Sequence, residues 1–158
     1  MIKRLYILFF LTLLGSELFS QNCDVITDTL YFPSKQISEL AKALNCPLKN
    51  GGSIQFFNYN GKFTLKLTLN EKLGFLDVGS LQIKSGTKSF FVKSTTLYNH
   101  KQANAYFLVD VLINYIATLK DDGITSVVFN EKFEANLTSE DTKNIRRTAK
   151  CFYESNKK

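Results

Sequence analysis

Apolar and polar residues alternate most strictly on either side of the dipeptide Asn60-Gly61. Such alternation is typical of half-buried strands, and an Asn-Gly pair favours the two-residue turn of a β-hairpin. The pattern therefore predicts a hairpin of strands 53–59 and 62–69, with Phe56 opposite Leu65 on the apolar face. The other face of this hairpin is expected to carry Phe57, Tyr59, Lys62 and Lys66.

A second hairpin is predicted immediately after the first. Its arms are residues 73–84 and 87–98, and Ser85-Gly86 forms the turn between them. Two consecutive hairpins indicate four strands in antiparallel order, and the apolar residues 124–129 add a fifth.

Three segments show the spacing of an amphipathic helix, with apolar residues at i, i+3, i+4 and i+7. They cover residues 35–44, 101–119 and 138–153. Thr138, followed three residues later by Asp141, resembles a capping box at the start of the last helix. The predicted order is α-β-β-β-β-α-β-α. This is an α+β fold with an antiparallel sheet of four to five strands and three helices packed on it.

The first twenty residues have the pattern of a cleaved secretory signal peptide. Lys3 and Arg4 precede an apolar run over residues 5–14, and small residues follow. A helix of ten residues spans about 15 Å, too short for a bilayer core of about 30 Å. The alternative is a buried N-terminal helix. We expect residues 21–158 to form a single α+β domain, exported by a bacterium to the periplasm or the medium.

The chain contains three cysteines, and thiols of exported proteins tend to pair. Cys23 would stand close to a mobile N-terminus, and Cys151 lies on the flank of the apolar face of the last helix. Of the three possible pairings the favoured disulfide is therefore Cys46–Cys151, followed by Cys23–Cys46, and one cysteine is left over.

The charge is basic, with 20 Lys and Arg against 14 Asp and Glu and a formal net charge of +6. Only three of the basic residues are arginines, which bind phosphate and bases better than lysines do. Few arginines, together with export, argue against nucleic acid as a partner. One His and three Cys leave little for a His/Cys zinc site, which usually needs four such ligands, and no motif indicates a cofactor.

Two surfaces are candidate binding sites. The last helix carries Lys143, Arg146, Arg147 and Lys150 at i, i+3, i+4 and i+7, which makes one basic stripe. It is either a contact for an acidic partner or membrane surface, or the solvated back of the helix. The sheet face with Phe57, Tyr59, Lys62 and Lys66 is either a binding patch or, if helices cover it, part of the core.

The residues favour a non-catalytic binding domain whose partner is another protein or an envelope component. One alternative is a small secreted hydrolase with a site built around His100 or a pair of carboxylates. Another is a structural component of the envelope that packs through the basic stripe.

Overall fold

The computed structural model describes residues 23–32, 37–69, 80–99 and 104–157. Within these residues the chain forms nine strands and two helices. The strands are β1 (Val25–Phe32), β2 (Ile37–Pro47), β3 (Ser53–Tyr59), β4 (Lys62–Leu69), β5 (Ser80–Ser85), β6 (Lys88–Asn99), β7 (Asn104–Val111), β8 (Ser126–Phe129) and β9 (Phe133–Asn136). The helices are α1 (Ile113–Asp122) and α2 (Ser139–Asn156).

All neighbouring strands are antiparallel, in the order β1-β2-β3-β4-β7-β6-β5-β8-β9. Strand β6 belongs to two sheets. Residues 88–93 pair with β5, whereas residues 94–99 pair with β7. One long strand thus joins a six-stranded sheet that begins at β1 to a four-stranded sheet that ends at β9.

The first predicted hairpin is confirmed in bounds and register. Strands β3 and β4 pair Phe56 with Leu65, as the two-residue turn requires. Asn60 and Gly61 have φ values of 53° and 79°, the positive values that a type I′ turn demands at both central positions. The capping box is also confirmed, since Thr138 and Asp141 exchange side-chain and backbone hydrogen bonds at the start of α2.

The predicted fold class is wrong: there are more strands and fewer helices than the pattern indicated. Of residues 35–44, which were expected to form a helix, the described residues 37–44 belong to β2. Ala41 and Ala43 are buried on one face of that strand, whereas Leu40 on the other face is 74% exposed. Pairing with β1 along eight residues and with β3 satisfies the backbone of β2, which outweighs the weak helical preference of its sequence.

The long helix expected over residues 101–119 is also wrong, because β7 takes its first part and α1 only its second. Strand β7 lies between β4 and β6, and both Leu108 and Val109 are buried although they point to opposite faces. A strand buried on both faces is apolar at successive positions, so it also contains the spacing of a helix. This insertion of β7 next to β4 separates the two hairpins, which were expected to be neighbours.

Both helices lie on one face of the sheets and cover the main core. The centre of this core contains Ile54, Phe56, Leu65, Leu67, Leu81, Ile83, Val109, Ile116, Leu119, Val127, Phe129, Ile145 and Ala149, each at most 1% exposed. The ring of Phe152 on α2 packs against Phe56 and Phe63, with centroids 5.6 Å apart in both pairs. This packing holds α2 against β3 and β4.

The second face of the six-stranded sheet is covered by β1, the first strand of the same sheet, which curls over it. Leu30 of β1 and Leu108 of β7 belong to one buried cluster with Phe57, although three strands separate β1 from β7. Lys66 Nζ on β4 lies 2.7 Å from Asp28 Oδ2 on β1. In a flat sheet third-neighbour strands are about 14 Å apart, so β1 must curl over the face of β4.

The ion pair between Asp28 and Lys66 is expected to stabilise this curl. Lys66 is 12% and Asp28 30% exposed at the side chain. Burial raises the pKa of Asp28, but hydrogen bonds from Lys66 and the Thr29 N–H outweigh it, and the pKa lies below its ordinary value. A carboxylate with a depressed pKa stabilises the fold above its unfolded pKa, and this stabilisation is lost as the pH falls through the folded pKa.

We predict that Asp28→Asn lowers the free energy of unfolding by about 2 kcal/mol at pH 7, because it removes the carboxylate from a largely buried ammonium. The difference from wild type should shrink as the pH falls below about 4. Urea unfolding at several pH values measures both effects. As a control, Asp110→Asn breaks the exposed pair with Lys62 and should cost less than about 1 kcal/mol. Equal losses of unfolding free energy in the two variants would contradict the conclusion that the Asp28–Lys66 pair stabilises the curl of β1.

Gly123, at the end of α1, allows α1 and α2 to approach closely. Its φ is 72°, and a Cβ there would overlap the carbonyl oxygen of Thr142 and lie 2.9 Å from its methyl carbon. Gly61 has a similar φ of 79° but no neighbouring atom within 4 Å of an added Cβ.

We predict that Gly123→Ala destabilises the protein by about 3 kcal/mol or more, through backbone strain and steric overlap together. The matched control Gly61→Ala adds only the strain and should cost about 1 kcal/mol. Thermal or urea unfolding gives the loss of unfolding free energy in each variant, and the difference between the two losses is the contribution of the steric overlap. Similar values for both would mean that α1 and α2 do not meet closely at this glycine.

Candidate functional site

Helix α2 presents opposite faces to the core and to solvent. Ile145, Ala149 and Phe152 are buried against the sheet. The side chains that define the α2 basic stripe are all exposed; they are Lys143, Arg146, Arg147 and Lys150. The stripe extends about 10 Å along the helix axis.

The positive charges of the α2 basic stripe are not neutralised within the part of the chain that the structure describes. None of its four residues forms an ion pair with a described residue. The acids at its two ends are engaged elsewhere: Glu140 pairs with Lys49, and Glu154 pairs with Lys157. The stripe therefore presents a concentrated positive potential to solvent.

A surface cavity of about 330 Å³ lies beside the stripe, between α2, the start of β1 and the end of β2. All three cysteines line it, together with Asn45, Thr148 and Arg147. Arg147 belongs to both features, so the cavity opens next to the positive surface. Asn45 Oδ1 is buried and accepts no hydrogen bond from any described residue.

The disulfide joins Cys23 to Cys151, with the two Cα atoms 6.3 Å apart. The predicted Cys46–Cys151 pair is therefore wrong, and so is its alternative, Cys23–Cys46. The prediction failed because Cys23 was expected at a mobile end. Instead, the Asn45 N–H donates to the Asp24 carbonyl at 2.9 Å and holds this end of the chain beside β2. A disulfide is compatible with an exported protein. The predicted signal peptide, residues 1–20, lies outside the described residues.

Cys46 is a free cysteine and only 1% exposed. Burial raises the pKa of its thiol to about 11; the Asp141 and Asp24 carboxylates add to the rise, and a hydrogen bond with Thr148 opposes it. At neutral pH the sulfur is therefore a protonated thiol, which is a poor nucleophile. Nor do three or more His, Cys, Asp or Glu side chains group into a possible metal site within the described ranges.

The four residues of the predicted sheet-face site lie on one face, but acids or apolar groups already engage each of them. Phe57 is fully buried in the cluster beneath β1, as in the alternative that assigned it to the core. The Tyr59 hydroxyl donates a hydrogen bond to the Glu39 carboxylate. Lys62 pairs with Asp110 at 2.6 Å, and Lys66 pairs with Asp28. Partner binding by this face stays a prediction.

The groups proposed for a hydrolase lie only partly within the described residues. His100 lies outside the described residues. Among the carboxylates that the structure describes, Asp110 contacts Lys62, Asp121 contacts Lys120, and Glu134 contacts Lys84. The hydrolase alternative stays a prediction.

The cavity was not predicted, because β1 was not. A signal was present: in residues 25–32 the apolar Ile26 and Leu30 alternate with the exposed Thr27 and Thr29. Without β1, nothing in the sequence places Cys23 beside β2, so neither the correct disulfide nor the cavity could be derived.

Comparison of the chain with protein-family models, with curated proteins and with solved structures finds no match. In the described part of the chain, neither helix is long and apolar enough to cross a membrane.

We predict that the disulfide is a main source of stability, because it closes a loop across 128 residues of sequence separation. Replacing Cys23 and Cys151 together by Ser should lower the free energy of unfolding by up to about 4–5 kcal/mol. The control Cys46→Ala removes a sulfur without touching the disulfide and should cost about 1 kcal/mol. Urea unfolding measures both. A larger loss in the control would show that the buried thiol, and not the disulfide, holds this region.

Proposed function

We propose that this protein is an exported, non-catalytic binding domain that captures an acidic protein or other anionic component of the cell envelope through the α2 basic stripe. The observation that carries the proposal is the set of four exposed cations without ion pairs to described residues. Charges that only solubilise a helix are commonly interspersed with acids, whereas here the flanking acids pair away from the stripe.

The chemistry of the stripe suits a surface with carboxylates or phosphates. Arg146 and Arg147 present planar guanidinium groups that can each bind two oxygens, and the two lysines add flexible point charges. Because the charges are exposed, we expect them to accelerate encounter and to make binding strongly dependent on salt.

The absence of catalysis in this proposal is supported by the state of the candidate groups. The free cysteine of the cavity, Cys46, has a raised pKa, and three acids, Asp110, Asp121 and Glu134, are each paired with a lysine. Export is supported by the pattern of residues 1–20 and by the disulfide.

We predict that replacing all four stripe residues with Gln weakens partner binding by about tenfold or more, since several favourable charge contacts are lost together. The matched control replaces four exposed lysines elsewhere, Lys42, Lys88, Lys93 and Lys132, and changes the net charge by the same amount. The protein, purified from cells that express the full chain, is immobilised and challenged with the envelope fraction of those cells at low and high salt. The amount of each retained component is then compared between variants.

The expected result is retention by wild type and the control at low salt, release at high salt, and little retention by the stripe variant. Equal losses in the two variants would mean that net charge alone governs retention, which would contradict a defined site on α2. Flotation with phosphatidylglycerol vesicles, compared with phosphatidylcholine vesicles, shows whether the anionic component is the lipid surface itself.

A further inference from the structure

The three cysteines converge on one point of the cavity. The Asn45 N–H donates to the Asp24 carbonyl and continues the β1–β2 register, in which Val25 lies opposite Leu44. Cys23 therefore lies opposite Cys46. Residues opposed in this way on antiparallel strands have Cβ atoms about 4.5–5.5 Å apart and Cα atoms within the range that a disulfide spans.

Helix α2 brings the third cysteine to the same place. Thr148 forms a hydrogen bond with the Cys46 thiol, and Cys151 follows Thr148 by three residues. Side chains three residues apart on a helix are neighbours on its surface, with Cβ atoms about 5–6 Å apart. The free Cys46 thus lines the same cavity as both cysteines of the disulfide.

We propose that this cavity is an intramolecular thiol–disulfide exchange site, in which Cys46 takes over the disulfide from Cys23. In the reaction the Cys46 thiol loses its proton to solvent, and the thiolate attacks Cys151 Sγ. The Cys46–Cys151 bond forms as the Cys23–Cys151 bond breaks, and Cys23 leaves as a thiolate that takes up a proton. No oxidant or reductant is consumed, because one disulfide and one thiol are present before and after the exchange.

The direction of attack follows from how exposed each cysteine would be as the released thiol. Cys151 is anchored in α2 and nearly buried, so a thiol released there would stay enclosed. Cys23 is partly exposed and precedes β1, held there by the disulfide and the backbone bond from Asn45. Release of Cys23 therefore replaces a buried thiol by an accessible one at the cavity mouth.

The surroundings of Cys46 keep the exchange slow at neutral pH. Burial and the carboxylates of Asp24 on the β1 side and Asp141 on α2 raise the pKa of the thiol and hold it protonated, whereas a hydrogen bond with Thr148 opposes them. The Arg147 guanidinium is the cation that lines the same cavity. The rate of exchange should rise with pH, because only the thiolate attacks. This exchange site does not rest on the proposed binding function, since the reaction uses only the three cysteines, although the stripe residue Arg147 also lines the cavity.

The test is to map the disulfide after trapping with iodoacetamide under native conditions at pH 7 and pH 9. Each cysteine lies in a separate tryptic peptide, so every pairing is distinguishable by mass spectrometry of non-reduced digests. We expect the label on Cys23 to exceed that on Cys46 at least tenfold, accompanied by a Cys46–Cys151 linked peptide, and to accumulate faster at pH 9. Labelling of Cys46 with the Cys23–Cys151 linkage intact, or labelling of Cys151 with a Cys23–Cys46 linkage, would overturn the proposal.

A variant provides an independent control. Cys46→Ala removes the attacking sulfur, so Cys23 should remain unlabelled at both pH values. Labelling of Cys23 at the wild-type rate in this variant would overturn the proposal, because the disulfide would then open without Cys46. The mapping of the wild-type chain decides the question even if the variant folds poorly.

Discussion

In the described part of the chain, two helices cover only one side of an arrangement of nine strands, and the fold is organised around that constraint. Helices α1 and α2 close the main core on one face of the sheets. The other face of the six-stranded sheet would expose Phe57 and Leu108 if the sheet were flat. Instead, β1 curls over it, and the contact of Asp28 with Lys66 fixes the position of β1 over β4.

The curl also determines the candidate site. Because β1 pairs with β2 along its length, the residues just before β1 lie beside the end of β2 and below α2. This placement brings Cys23 to Cys151 and encloses Cys46. The cavity and the disulfide are thus consequences of strand pairing at the edge of the sheet. The basic stripe depends on a different feature, since the ring of Phe152 and its neighbours press one face of α2 on the core and turn the opposite face to solvent.

Local signals predicted the elements whose geometry they directly control. A type I′ turn requires positive φ at two successive residues, and Asn60 and Gly61 adopt these values readily. The turn then determines which residues of β3 and β4 pair. Thr138 and Asp141 satisfy the free N–H groups at the start of α2, so that boundary was also predictable. By contrast, residues 37–47 and 104–111 have apolar spacing compatible with either a helix or a strand. Their state depends on partners distant in sequence.

The amino-acid sequence alone was therefore sufficient for the β3–β4 hairpin, the capped last helix and the spacing of its four cations, because these depend on interactions within a few residues. Long-range pairing assigned β1, β2 and β7 as strands, selected Cys23 rather than Cys46 as the partner of Cys151, and buried Phe57. A strand gains most of its hydrogen bonds and half of its buried contacts from neighbours that sequence pattern does not identify. For the same reason the cavity, whose walls come from segments far apart in sequence, exists only in the folded molecule.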